Sequence, residues 1–201
     1  MSKPSLLYFN GAGRVFGLRV ALFKAFGKDG WEDSRIEFHE WAALKPDQPL
    51  GSLPVLTLPD GRKIVQTDAI MRWAGKQSGL YPNDPLDALL VDETISTVFE
   101  TLSKVPPAGG PDGKAKREEY AAGLMTKACT MLESKLMGDW FVGSAISLAD
   151  LAVSVMVNMI VTDDWTHVAP SWMDSFPKLK ALNLRVREDP LVVDYLAQYP
   201  N

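Results

Sequence analysis

The chain has 201 residues, 46% hydrophobic and 23% charged, with a formal net charge of −4, which is enough apolar content for two packed subdomains. An acidic balance without a basic stripe argues against nucleic-acid binding, and neither a charged-then-apolar leader nor a run of about 18 apolar residues suits a membrane partner. The single cysteine, Cys129, excludes an internal disulfide and any zinc site built from paired thiolates, so a cytoplasmic protein without a metal site is expected.

In chain order, Ser5-Leu6-Leu7-Tyr8-Phe9 is an apolar run too short for a helix. After Gly11-Ala12-Gly13-Arg14, Val15, Leu18, Leu22 and Phe26 recur at helical spacing. Residues 35–40 alternate Ile36 and Phe38 with charged neighbours, and a helix-linked crossover of this length favours a parallel second strand. Leu53-Pro54 sits at the entrance of a third strand over residues 55–58, where a proline removes no needed ladder donor; a cis bond there would turn the preceding main chain outward toward a ligand. Pro59-Asp60-Gly61-Arg62 has tight-turn chemistry, residues 63–66 return antiparallel, and Thr67 is placed to cap a helix whose first amides suit a carboxylate. The order βαβ then ββα follows.

Beyond Gly79 the pattern changes. Residues 80–85 form a Pro- and Asp-rich linker, dividing an α/β domain over 1–79 from an all-α domain over 86–201. Helices are expected over residues 86–104, 114–136, 147–161, 176–187 and 191–199, with a Pro-Gly loop through 105–113. Ser147-x-x-Asp150 reads as a capping box, with Ile146 and Leu151 as a hydrophobic staple.

The blocks Tyr8-Phe9-Asn10 with Gly13-Arg14, Trp41 with Lys45, Leu53-Pro54-Val55, Gln66-Thr67 and Ser147-Leu148-Ala149-Asp150, in this order and spacing, resemble the cytosolic glutathione transferases, most closely the sigma-like class. Thr67 departs from the family's usual Ser, and Asp68 after it is unexpected. The resemblance covers nearly the whole chain and implies the glutathione transferase fold: a thioredoxin-like α/β domain followed by an all-helical domain. It further implies a homodimer that conjugates glutathione, as co-substrate and with no other cofactor, to small hydrophobic electrophiles.

Tyr8 is the residue on which chemistry is expected. A thiol of ordinary pKa near 8.5 is mostly protonated at pH 7, and a phenol near 10 keeps its proton, so Tyr8 would donate a hydrogen bond to the glutathione sulfur anion instead of acting as a base. The plainer alternative is a strand-end tyrosine with a packed ring and a wet hydroxyl. By resemblance, Lys45 and Trp41 hold the glycine carboxylate, Leu53 and Pro54 present the backbone clamp, Gln66 and Thr67 take the γ-glutamyl end, and Arg14 orients Tyr8 or the thiolate. Taken singly, Lys45, Trp41 and Arg14 read equally well as surface or loop residues. Glu100, aligned through Val91-Asp92, is expected to reach across the dimer to the γ-glutamyl ammonium. Phe9, Gly13, Leu102 and Val105 are the expected electrophile site, set between the domains, with the segment around Tyr199 as a further wall.

Other chemistries find little support. A cysteine-dependent relative of the same fold needs Cys where Tyr8-Phe9-Asn10 stands, and Cys129 lies on an apolar stripe with Leu124, Met125 and Leu132. His39 and His167 stand near no nucleophile motif, and Gly11-x-Gly13 lacks the third glycine of a dinucleotide fingerprint. A prostaglandin D isomerase is disfavoured by Pro107, Ser96 and Phe99 at positions where those enzymes carry an aromatic and acidic residues. A non-catalytic, crystallin-like protein on the same fold remains the competing class.

Overall fold

The structure, a computed structural model, describes residues 3–200. Strand β1 (Ser5–Phe9), a 3-10 turn (Gly13–Val15) and helix α1 (Phe16–Phe26) lead to strand β2 (Glu32–Ile36). A four-residue helix α2 (Trp41–Leu44) and two more 3-10 turns precede β3 (Val55–Thr57), β4 (Lys63–Ile64) and helix α3 (Thr67–Ser78). β2 pairs with β1 in parallel, and β3 and β4 add antiparallel, giving the sheet order β2-β1-β3-β4. The thioredoxin-like βαβ-ββα order is therefore present.

The second strand lies earlier than the expected residues 35–40. Apolar alternation past Ile36 is deceptive, because Phe38 is 75% exposed and the chain turns there, with the Glu40 carboxylate accepting the Glu37 amide at 2.7 Å. The strand instead runs through Glu32 and Asp33, residue types that sheets normally disfavour. It tolerates Asp33 because two arginines neutralise it.

From Pro82 to Asp189 the chain forms a second, all-helical unit. Helix α4 (Pro85–Ser103) starts under Asp84, whose carboxylate accepts from the Leu86 and Asp87 amides at 2.9 and 3.0 Å. Helix α5 (Gly113–Tyr120), a π-helical stretch (Ala121–Met125) and α6 (Thr126–Lys135) replace the uniform helix expected over residues 114–136. Helix α7 (Leu148–Val161) is the core of the unit, buried at every position from 148 to 157. It packs against α4 and against α8 (Pro177–Glu188), where the Ser154 hydroxyl donates to the Asn183 side-chain carbonyl at 2.6 Å.

The last helix, α9 (Pro190–Gln198), belongs to the first unit, which comprises the chain through Tyr81 together with the segment from Pro190. The helical domain expected to run to residue 201 thus returns its end to the α/β unit. The reason is aromatic. Helix α1 is buried along residues 16–23, so α3 covers one side and α9 another. Tyr195 meets Phe16 and Phe23 edge-on at 6.0 and 5.9 Å, while Tyr199 lies 5.6 Å from Trp31 and donates its hydroxyl to the Lys28 carbonyl at 2.8 Å. Tyr199, expected as a wall of the electrophile site, is instead taken up in this packing.

The entry of α7 carries the expected capping box of Ser147 and Asp150. The Asp150 carboxylate accepts the Ser147 amide at 2.8 Å and hydroxyl at 2.6 Å, and its other oxygen takes the Phe141 amide at 2.9 Å. Burial pushes this carboxyl up, and the three donors oppose that shift. Ser147→Ala should therefore lower stability by about 0.5–2 kcal/mol. Asp150→Ala should cost more, about 1–3 kcal/mol for each buried donor left without its acceptor. Denaturant unfolding at neutral pH checks both, and wild-type stability in Asp150→Ala would remove the carboxylate from the fold's support.

Candidate active site

Sheet register brings together three residues of the expected site, Tyr8, Pro54 and Gln66. Tyr8 stands opposite Arg35 in the β1–β2 ladder. The Leu7–Val55 pair, continued by one residue, brings Pro54 opposite Tyr8, and the Leu56–Ile64 pair, continued by two, brings Gln66 opposite Pro54. The register, extended past the last paired residues, points Arg35, Tyr8, Pro54 and Gln66 to one row at the end of the sheet. The Leu53–Pro54 bond is cis.

At the end of that row Gln66 is the N-cap of α3, with φ 77° and ψ 111°, a left-handed backbone rarely adopted by residues other than glycine. The expected cap, Thr67, is instead the first helical residue and is buried, and no side chain caps the helix. The α3 entry thus offers main-chain donors and a positive dipole end to an anion. Strain of this kind concentrates at ligand sites.

Tyr8 itself is fixed from two sides. The Gly13 backbone stands against its hydroxyl, and the Arg19 guanidinium lies 5.8 Å from its ring centroid. Burial pushes the phenol above its ordinary value, with the charges of Arg14 and Arg19 and the Arg14 amide pulling back only in part. A neutral donor, not a phenolate, occupies the site at physiological pH. Gly13, at φ +40°, permits this arrangement, since a Cβ there would meet the Tyr8 hydroxyl at 3.0 Å and Cε1 at 3.1 Å.

Below Tyr8 lies a network absent from the sequence reading. Arg19 is fully buried; its Nε donates to Asp33 at 2.8 Å, and its Nη groups donate to the Gly11 carbonyl and, at 3.2 Å, to that of Phe9. Arg35 donates to the second Asp33 oxygen at 2.8 Å. The available signal was an arginine between Leu18 and Val20 inside an apolar helix, which demands a buried acid as partner.

The other expected residues divide. Phe9 stacks on Phe38 at 4.4 Å and meets Trp41 edge-on at 6.2 Å, so Phe9 and Trp41 share one aromatic cluster. Lys45 is exposed and forms no ion pair among the described residues, its stem lying near Gly51, where a Cβ would stand 3.2 Å from Lys45 Cε. In the second unit, Leu102 and Val105 are half-buried near the end of α4. The loop after them is held by Arg117 Nε donating to the Pro106 carbonyl at 2.6 Å and by the His167 ring donating to the Ala108 carbonyl at 3.2 Å. Glu100 is exposed and pairs with Lys104 one turn on, which holds its carboxyl below the usual range.

A thioredoxin-like unit with this cis-proline row, followed by a helical unit built on a capped central helix, defines the glutathione transferase architecture. A family model described as the glutathione S-transferase C-terminal domain matches residues 90–199. Over its full length the chain is 29% identical to glutathione S-transferase 1 of Ascaris suum and 30% identical to the hematopoietic prostaglandin D synthase of Gallus gallus, covering 98% of each. The crystal structure of the monomeric glutathione S-transferase Na-GST-3 of Necator americanus superposes with a TM-score of 0.83 at 25% identity, covering 99% of this chain and 98% of that one. The chain belongs to the glutathione S-transferase family, and it is a glutathione transferase.

Gly13→Ala tests the seat of Tyr8. The added methyl should cost on the order of 1–3 kcal/mol through its left-handed backbone and push the phenol out toward solvent, relieving the burial that raises it. A raised folded-state phenol pKa favours the native state fully below the unfolded value near 10, and that contribution is lost as pH climbs through the folded value. Ultraviolet difference titration should therefore show the Tyr8 phenol ionising at lower pH in Gly13→Ala than in wild type. An unmoved titration with unchanged stability would mean the close contact does not hold Tyr8.

Proposed function

We propose that this glutathione transferase conjugates the glutathione thiolate to small hydrophobic electrophiles in the cytoplasm, with Tyr8 donating its phenolic proton in a hydrogen bond to the sulfur anion. The observation that carries this reading is the extended register that aligns a neutral, half-buried Tyr8 with Pro54 and the uncapped entry of α3. Glutathione offers a thiol, a peptide backbone and carboxylates. The row offers, in matching order, a phenol donor, the Leu53–Pro54 main chain, and helix-start amides at Gln66 and Thr67. Lys45 and Trp41 are assigned to the glycine carboxylate and Arg14 to orienting Tyr8, with the exposure of Lys45 in support. Gly13, Phe9, Leu102 and Val105 are assigned to the electrophile.

The chemistry needs only a modest push. One charge-assisted hydrogen bond contributes about 1.5–3 kcal/mol, equivalent to roughly one to two pKa units on the bound thiol. That suffices to make the thiolate abundant at neutral pH. A glutathione-affinity column followed by a chlorodinitrobenzene assay tests the reading as a whole. Retention without turnover would favour a crystallin-like binder. The Gallus gallus relative makes isomerisation of a prostaglandin a second substrate to assay.

Tyr8→Phe should lower the conjugation rate about tenfold or more while glutathione affinity stays within a few-fold, because one transition-state interaction is lost and the peptide is held elsewhere. The pH profile supplies the sign: the bound thiol of wild type should titrate lower than that of the variant. Equal turnover in the two proteins would take Tyr8 out of the mechanism.

A homodimer is proposed on the exposed Leu86, Leu89 and Leu90, which recur on one face of α4. In that dimer Glu100 would leave Lys104 for the γ-glutamyl ammonium bound by the partner. Glu100→Ala should weaken glutathione binding about tenfold with the dimer intact. Calorimetric titration with gel filtration checks this, and wild-type affinity in an intact dimer would leave Glu100 a surface residue.

A further inference from the structure

Arg19 does more than neutralise Asp33. A structural ion pair in helix α1 would be complete with Nε on the carboxylate, yet both Nη groups reach past Asp33 to main-chain carbonyls. Those carbonyls belong to Phe9 and Gly11, on either side of Asn10. The turn they bracket joins β1, which carries the Tyr8 backbone, to the Gly13–Val15 turn, whose Gly13 stands against the Tyr8 hydroxyl. Any relaxation of residues 9–11 changes the distance between the tyrosine's backbone and the glycine turn that seats its hydroxyl. The guanidinium also lies 5.8 Å from the ring it supports.

We propose that Arg19 is a positioning residue for thiolate formation, locking the turn over residues 9–11 so that the Tyr8 hydroxyl is presented to the glutathione sulfur. The inference rests on the reading of Tyr8 as the sulfur's donor. Only a planar fork serves all three acceptors at once; a lysine keeps the charge but offers a single nitrogen. The charges around Tyr8 are Arg14 and Arg19, with Asp33 and Arg35 completing the network below.

Arg19→Lys is the decisive variant, read by the thiolate absorbance of bound glutathione, by kcat and KM with chlorodinitrobenzene, and by glutathione affinity. The bound thiol should titrate about one unit higher and kcat should fall about tenfold, with affinity within about threefold. Because Arg19 acts through Tyr8, adding Arg19→Lys to Tyr8→Phe should cost almost nothing further, a non-additivity that general loosening of the fold would not produce. A folded Arg19→Lys protein with the wild-type thiol titration overturns the proposal, as does full additivity in the double variant. Where Arg19→Lys fails to fold, Asp33→Ala decides: it removes the acceptor of Nε and should raise the thiol titration in the same direction, and an unchanged value overturns the proposal equally. An active Tyr8→Phe enzyme would instead bring down the thiolate reading itself, which separates the two failures.

Discussion

The α/β unit is organised around a charged triad that should, on solvation grounds alone, be unfavourable. Asp33 is nearly buried and Arg19 fully so, and removing such ions from water is costly unless every donor and acceptor finds a partner. Here they do. Asp33 takes one arginine on each oxygen; Arg19 extends to the turn after β1, and Arg35 reaches the Pro200 carbonyl at 3.2 Å. A single carboxylate thereby ties β2, α1, the turn behind Tyr8 and the returning C-terminal segment. Replacing one member would leave the others charged and stranded, so the network is all-or-none in a way that apolar contacts are not.

Much of this was legible in the sequence where local chemistry and global packing agree. The βαβ-ββα order, the Leu53-Pro54 entrance, the Asp60-Gly61 turn and the Ser147-Asp150 box follow from residues whose preferred conformation is the one adopted. The sheet register explains how Tyr8, Pro54 and Gln66 come to the same end of the sheet although far apart in sequence. Misreadings fall where tertiary partners override propensity. Glu32 and Asp33 look unlike strand residues until Arg19 and Arg35 are seen beside them. Thr67 has capping chemistry, yet the strained Gln66 takes the cap position. The final helix reads as one more bundle helix because Tyr195 and Tyr199 reveal their partners, Phe16, Phe23 and Trp31, only in three dimensions.

The two units solve burial differently. In the first, α1 is enclosed by neighbours and admits a cation because that cation is fully satisfied. In the second, α7 is enclosed as thoroughly, but its buried polar residues are confined to its entry and to the Ser154–Asn183 contact. The helical unit is accordingly a conventional apolar core entered through a capped end. The α/β unit concentrates its polar chemistry beside the candidate site. Substitutions in the second core should act by volume, and those near Arg19 by charge and geometry.

The thiol of Cys129 gives this division a further meaning. It is fully buried on α6, and burial pushes it up to about 12. Nucleophilic attack by sulfur requires the thiolate, so at neutral pH this sulfhydryl is both hidden and unionised. A protein that makes a thiolate from a bound peptide while surrounded by electrophiles runs the risk of alkylating itself, or of trapping its co-substrate as a mixed disulfide. This chain places its one sulfhydryl where neither reaction can start, so the reactive sulfur in the system is always the one that arrives with the ligand and departs with the product.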